Sequence, residues 1–557
     1  MALSAKILPG EIHNRLLRRV DWRFLLPNPS PERSICFTDG PLEEAVRLIA
    51  KETVKIWDDS SSCDLAVAVN PDKATLQAAF KVLQPGGALY AEWYSPLAFG
   101  PKRIRNRLEN LGFEKVACYW PWPLPSRKAA QFWLPYEAPA ALGYFLKSRS
   151  RPVSLREKAV KSLLYNLWKL GRLTGLILPV CVVSIKPVLP AAGPAVSFLP
   201  GPASSSAPSE TAPFSQPQPQ PGLTPGLEEI IRSRWQGWGF GVAPAELSWL
   251  LLTGGQRSIN KIVGLVFAPR QTRPTLAVKI PRIAEAVPAL HREATTLAAV
   301  HLLKPGGFPG VPRVLFCEKQ GESLVLGETI LTGLPLFTYL GRDNYRELAL
   351  KATDWLINLA VSLEPVSRSE WWDRLVVPVL QDFSLSFGSI AGPALLQKTR
   401  NILWELGPLP GVCEHRDFSP WNVMLSDSGE LVVLDWEGAE LKGLPGLDLI
   451  YFLTYMAFFI DKAMDSGLLK ESYRAMLDPA TFTGRVFSEC MERYAGRTGL
   501  ERSALRPLRL LTWLLHSRSE YRNLAADAAG KPGSEILKRS LFVRLWEAEL
   551  DLNNSGD

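Results

Sequence analysis

The stretch Glu414-His415-Arg416-Asp417-Phe418-Ser419-Pro420-Trp421-Asn422-Val423-Met424-Leu425, followed by Leu431-Val432-Val433-Leu434-Asp435-Trp436-Glu437, decides the fold. Asn422 stands five residues after Asp417, and Asp435 thirteen after Asn422, with apolar strand-like runs behind the Asn and ahead of the second Asp. This is the pattern of a loop and hairpin that sets a hydroxyl-orienting carboxylate beside two hard oxygen ligands. Asp417 is placed to accept a proton from a hydroxyl. Asn422 and Asp435 suit Mg²⁺, which favours carboxylate, amide and phosphate oxygens. His415 reads as a loop stabiliser, and Arg416 as a supporting cation without a catalytic role.

Working back from that loop, Leu247 to Leu252, Lys261 to Ala268 and Thr275 to Ile280 read as strands separated by polar turns. The first turn, Thr253 to Asn260, holds Gly254, Gly255 and Ser258, whose small size would let backbone amides cover a polyphosphate. Lys279 sits inside an apolar strand, where an unpaired ammonium is costly, so it requires an anionic partner. Glu293, in a helical segment fourteen residues on, is that partner, and the pair would hold the lysine against phosphate oxygens. Residues 345–363 and most of the chain beyond 447 have helical periodicity, so the final part is mainly α. Trp371 and Trp372 read as helix-core aromatics, with a cation-holding acceptor site as the sharper alternative.

The catalytic-loop residues, together with Asp-Trp-Glu at 435–437 and a later helix opening near Asp448, resemble the aminoglycoside phosphotransferase and choline kinase family. That family has a two-lobed protein-kinase-like fold. The resemblance spans about residues 226–550. It implies ATP and Mg²⁺ as cofactors and a small-molecule hydroxyl of the aminoglycoside, choline or sugar type as acceptor, with ATP or GTP both open as donor. It also implies a hinge near Gly327 to Ile330, whose backbone would pair with an adenine edge; Glu328 and Ile330 are its candidate cofactor-binding residues. No Ala-Pro-Glu element follows Asp435, which argues against a protein kinase.

Upstream, residues 34–94 alternate strand and helix signals: strands at 34–38, 53–57, 65–69 and 88–93, helices at 42–50 and 72–83. Such alternation predicts an α/β unit with a mostly parallel sheet. Asp64 to Trp93, with its Leu-Gln-Pro-Gly-Gly turn, and then Leu108 to Phe113 with Val116 to Trp120, resemble a class I methyltransferase fold. The glycine-rich turn of that family is missing, since the first strand leads into Thr38-Asp39-Gly40-Pro41 with a single glycine. The resemblance therefore implies a degenerate, Rossmann-like domain, with S-adenosylmethionine as the cofactor of a lesser alternative. Residues 155–170 form a basic amphipathic helix pattern, either packed on its own domain or lying on a membrane surface. Residues 187–225 contain eleven prolines and one charge, Glu210, the composition of a semi-extended linker.

The expected organisation is thus a methyltransferase-like α/β domain over 1–186, a Pro-rich linker over 187–225, and a kinase-like α+β domain over 226–557. Its N-lobe runs to about 332 and its C-lobe from about 333. Of the 557 residues, 46% are hydrophobic and 21% charged, which excludes wholesale disorder. Residues 1–186 carry 27 Lys and Arg against 16 Asp and Glu, so the basic excess lies in the first half and suggests contact with an anionic surface; nucleic acid is not expected. Seven scattered cysteines form no metal-ligand spacing. With no signal-peptide pattern and no apolar run of spanning length, a cytoplasmic protein is expected. Two other classes compete with the phosphotransferase: a non-catalytic pseudokinase and methyltransferase-like scaffold, and a methyltransferase with an accessory kinase domain.

Overall fold

The computed structural model describes residues 9–54, 62–94, 100–123, 129–148, 162–163, 166, 180–188, 225–255, 257, 259–269, 271–320, 323–360, 363–528 and 530–552. Most of the amphipathic stretch 155–170, residues 189–224 of the linker, and Ser258 lie outside the described residues.

Twelve strands form one sheet. They are β1 (Arg33–Phe37), β2 (Glu52–Val54), β3 (Cys63–Val69), β4 (Leu83–Trp93), β5 (Glu114–Trp122), β6 (Phe132–Pro135), β7 (Val180–Ile185), β8 (Ser248–Leu252), β9 (Lys261–Phe267), β10 (Leu276–Pro281), β11 (Val314–Gln320) and β12 (Ser323–Thr329). The order across the sheet is β11-β12-β10-β9-β8-β6-β5-β7-β4-β3-β1-β2. Strands β2, β1, β3 and β4 are parallel, as the alternation predicts, and β7 inserts antiparallel between β4 and β5. Leu65 to Ala68 are all buried, the continuous apolar run expected of a parallel strand covered on both faces.

Boundaries shift in two places. The Leu-Gln-Pro-Gly-Gly segment lies within β4, which begins at Leu83 and not at Ala88. The helix expected at 108–113 runs instead over Pro101–Glu109 and ends before Gly112, whose φ of 95° suits glycine alone at low cost.

The Pro-rich linker is not the only junction between the halves. Strand β6 of the first half pairs antiparallel with β8 of the second, through Phe132↔Leu252 and Trp133↔Leu251. An α/β sheet therefore runs on into the five antiparallel strands of the kinase-like upper lobe. One apolar core spans this seam, from Trp22 and Tyr90, whose rings stack at 3.7 Å, to Trp249, Val278, Phe316 and Val325.

A buried ion pair crosses the same seam. Asp21, in a short helical turn near the N-terminus, receives Arg282 Nε and Nη2 at 2.9 and 3.1 Å, and both side chains are wholly buried. Arg282 directly follows β10 and also donates to the carbonyls of Thr253 and Arg257 in the first polar turn. Thr253 in turn donates its amide to Gln131 O and its hydroxyl to Ala130 O. The segment expected to cover phosphates is thus anchored by residues of the first half.

The lower lobe is mainly helical, as its periodicity predicts, and contains two small sheets. One joins β13 (Leu334–Pro335), β16 (Val423–Leu425) and β17 (Leu431–Val433); the other joins β14 (Leu363–Val366), β15 (Leu409–Glu414) and β18 (Glu440–Gly443). Trp371 and Trp372 are buried in the helical core, so they pack and do not line an acceptor site. The helix Leu447–Ile460 is apolar on every side and is buried nearly throughout, which fits a central element. Among the described residues no helix is long and apolar enough to cross a membrane.

Candidate active site

Strand β15 leads into the loop 415–422, and the hairpin β16–β17 delivers Asp435, so both acids come from short, firmly held connections. Asp448, at the start of the buried helix, accepts the His415 amide at 2.6 Å and the Arg416 amide at 2.8 Å. A carboxylate spent in this way orders the loop and is not available to substrate. His415 donates from Nε2 to Leu434 O at 3.0 Å and accepts the Asp417 amide on Nδ1 at 3.2 Å. Acceptance on Nδ1 requires the neutral ring, and burial depresses its pKa to about 4. His415 therefore links the two halves of the site structurally, as the sequence suggests.

Asp417 and Asn422 meet: Asn422 Nδ2 donates to Asp417 Oδ2 at 2.6 Å and to its carbonyl at 3.1 Å. With its nitrogen committed, Asn422 has Oδ1 to offer a metal. Burial, then the neighbouring Asp435 charge, pushes the Asp417 carboxyl up to about 8. Arg416 and Asp435 both hold positive φ, 63° and 71°. For non-glycine residues such left-handed backbone is strained and is kept only where surrounding bonds over-determine it, a common mark of functional loops.

Lys279 Nζ lies 2.6 Å from Glu293 Oε1, the pairing that the buried strand lysine demands, and 2.9 Å from Glu328 Oε1. Burial opposes the charge on Lys279, yet Glu293 and Glu328 outweigh it and hold its pKa above the usual lysine value. Glu293 Oε1 also accepts the Trp436 amide at 3.2 Å, so the helix Val287–Leu302 touches the hairpin residue next to Asp435. Glu328, in the segment whose backbone is expected to pair with an adenine edge, enters the cluster through its side chain. Ile330 follows β12 and packs against an apolar cluster shared by the first half and the upper lobe. Gly254 and Gly255 lie in the turn after β8, where a Cβ on Gly255 would sit 2.4 Å from Asn260 Cβ.

Lys261 is the residue that sequence reasoning missed. Its Nζ contacts Asp435 Oδ1 at 2.5 Å, Glu293 Oε2 at 2.7 Å and Glu437 Oε2 at 2.9 Å. Burial disfavours its charge, but Asp435, Glu293 and Glu437 together raise its pKa well above the ordinary value. The same ammonium, with Lys279, outweighs burial at Asp435 and keeps that carboxylate ionised. A signal exists in the register: Val263 lies opposite Lys279, so Lys261, two residues before Val263, projects from the same face of the sheet.

Two ammonium groups thus face four carboxylates, those of Glu293, Glu328, Asp435 and Glu437. This excess of negative charge suits a divalent cation. Among the described residues no group of three or more His, Cys, Asp or Glu forms a ready-made metal cage. Mg²⁺ is commonly held by one or two carboxylates plus phosphate oxygens, so Asp435 and Asn422 Oδ1 are a fitting donor pair.

Beside this loop opens a cavity of about 180 Å³, lined in part by Arg416, His516, Arg518 and Arg522. The His516 ring stacks on Tyr451 at 3.6 Å, and burial, then the Arg416 charge, lowers its pKa to about 3. A histidine held neutral contributes stability above its unfolded pKa, near 6.5, that is lost as pH falls through the folded value. A His516→Phe protein keeps the stack and loses the titration. Its unfolding midpoint is therefore expected to rise relative to wild type as pH is lowered from 6.5 towards 4, measured by thermal denaturation of both proteins across that range.

Residues 265–479 match the model of the Phosphotransferase enzyme family. The resemblance read from the catalytic loop is borne out over that region, and the C-terminal part has the family's two-lobed kinase-like fold. Similar solved structures include an aminoglycoside-3'-phosphotransferase of type VIII, 17% identical, covering 45% of this chain and 88% of that one at a TM-score of 0.31. A glucosamine kinase is 17% identical, covering 53% and 73% at a TM-score of 0.30. An aminoglycoside phosphotransferase from Streptomyces rimosus, solved with ADP and streptomycin, is 16% identical, covering 52% and 97% at 0.31. No curated protein matches the chain. The family match does not extend to the first half, and S-adenosylmethionine gains no support from it.

Proposed function

We propose that the C-terminal part transfers the γ-phosphoryl group of ATP, with Mg²⁺, to a hydroxyl of a small molecule. The observation that carries this reading is the convergence of Asp417, Asn422 and Asp435 on the cluster around Lys279 and Glu293, from four separate segments of chain. Asp417, fixed by Asn422 and set beside Asp435, is the carboxylate placed to serve as general base once cations offset the Asp435 charge, which after burial is what pushes its carboxyl up. It orients the acceptor hydroxyl and takes its proton while the oxygen bonds to the γ-phosphorus and the bond to the bridging oxygen of ADP breaks. Lys279, fixed by Glu293 and Glu328, neutralises phosphate oxygens. Asp435 and Asn422 would hold Mg²⁺, which when bound would neutralise charge on the polyphosphate. Positioning and electrostatics account for the rate, since phosphoryl transfer needs little covalent help from the protein.

Thermal shift with ATP and Mg²⁺ checks the reading. Stabilisation that needs both ligands and disappears in Lys279→Met is expected; no shift at millimolar nucleotide would instead favour a non-catalytic scaffold. The cytoplasmic setting and the nature of the acceptor, whether aminoglycoside, choline or sugar, belong to this proposal too.

A further inference from the structure

We propose that Lys261 is a second nucleotide-phosphate ligand, a counter-cation to the metal-binding carboxylates that passes to the phosphates when Mg²⁺-ATP binds. The inference rests on the phosphotransferase reading of this site.

Three observations lead to it. First, the ammonium is saturated: a lysine has three N–H donors, and here three carboxylates, Asp435, Glu293 and Glu437, lie within 2.5 to 2.9 Å of Nζ. One of these oxygens, Asp435 Oδ1, belongs to the residue fitted to hold the metal, so ammonium and divalent ion compete for it. Second, the two lysines differ in their surroundings. The partners of Lys279 are 0% and 4% exposed, which locks it in place. Lys261 shares the buried Glu293 with it, and both lysine side chains are 9% exposed, but the other two carboxylates on Lys261, Asp435 and Glu437, are 38% and 40% exposed, so its end of the cluster reaches solvent. Third, Lys261 is the first residue of β9, directly after the glycine-containing connection from β8 that the phosphotransferase reading places over the polyphosphate. Its long flexible stem therefore starts on the phosphate side of the cluster, and released from Asp435 the ammonium has phosphate oxygens within its sweep.

Lys261→Met, Lys261→Arg and wild type separate this role from a purely structural ion pair. Mn²⁺ binding without nucleotide is read by electron paramagnetic resonance, and AMP-PNP binding at saturating Mg²⁺ by calorimetry. Removal of the competing cation is expected to tighten Mn²⁺ binding of Lys261→Met by about tenfold, while AMP-PNP binding weakens by about tenfold or more. Lys261→Arg, which keeps the charge, should recover most of the AMP-PNP affinity. A Lys261→Met protein that binds AMP-PNP as wild type does, or Mn²⁺ no more tightly, overturns the proposal and leaves the phosphotransferase reading standing. Wild-type protein that binds no AMP-PNP overturns both. Should Lys261→Met fail to fold by circular dichroism, Lys261→Gln gives the same comparison with a shorter polar stem.

Discussion

An Asp417→Ala protein is expected to bind Mg²⁺-ATP as the wild type does and to transfer phosphate about 10²- to 10⁴-fold more slowly, the usual contribution of a positioned general base. Asp417 accepts from Asn422 within its own loop and donates its amide to His415, but it makes no contact with Lys279, Lys261 or Glu293 among the described residues. Its removal therefore leaves the phosphate-binding cluster whole, so the loss falls on kcat and spares nucleotide affinity. Asp435→Ala behaves differently, because Lys261 then loses one of three partners and the metal loses its carboxylate. Paired kinetics and calorimetry on the two variants separate proton acceptance from metal holding.

Asp21→Ala is expected to destabilise the protein by about 3–5 kcal/mol, the cost of stranding a fully buried charge. Arg282 would keep only the carbonyls of Thr253 and Arg257 as acceptors. Because those carbonyls belong to the turn between β8 and β9, the damage should extend to the KM for ATP, even though Asp21 lies far away in sequence. A double replacement, Asp21→Leu with Arg282→Met, removes both charges and should recover much of the stability, since an apolar pair of similar volume often substitutes for a buried ion pair. Denaturant unfolding of the three proteins, followed by ATP titration, measures both effects.

The chemistry was more legible in the sequence than the architecture. Lys279 demanded a partner because a charge inside an apolar strand is costly, and Glu293 was within helical reach. The spacing from Asp417 to Asn422 to Asp435 reflects local loop and hairpin geometry, which short-range patterns preserve. Lys261 escaped because its role depends on the register of β9 against β10, and register is a tertiary quantity that a one-residue slip reverses. The pairing of β6 with β8 was hidden for the same reason: an apolar strand gives no sign of its neighbour, and more than a hundred residues separate the two. The Asp21–Arg282 pair, 261 positions apart, had no local signature at all. The Pro-rich composition marks a break along the chain and carries no sign that β6 and β8, on either side of it, pair in one sheet.

The most direct test of the phosphotransferase account is transfer of label from [γ-³²P]ATP into a pool of small-molecule metabolites, with Mg²⁺ present and Asp435→Ala protein as the blank. The account predicts one or a few newly labelled, hydroxyl-bearing compounds with the wild-type protein and none with the blank. Tight Mg²⁺-ATP binding by wild type with no labelled product, across pools rich in aminoglycosides, choline and sugars, would contradict it.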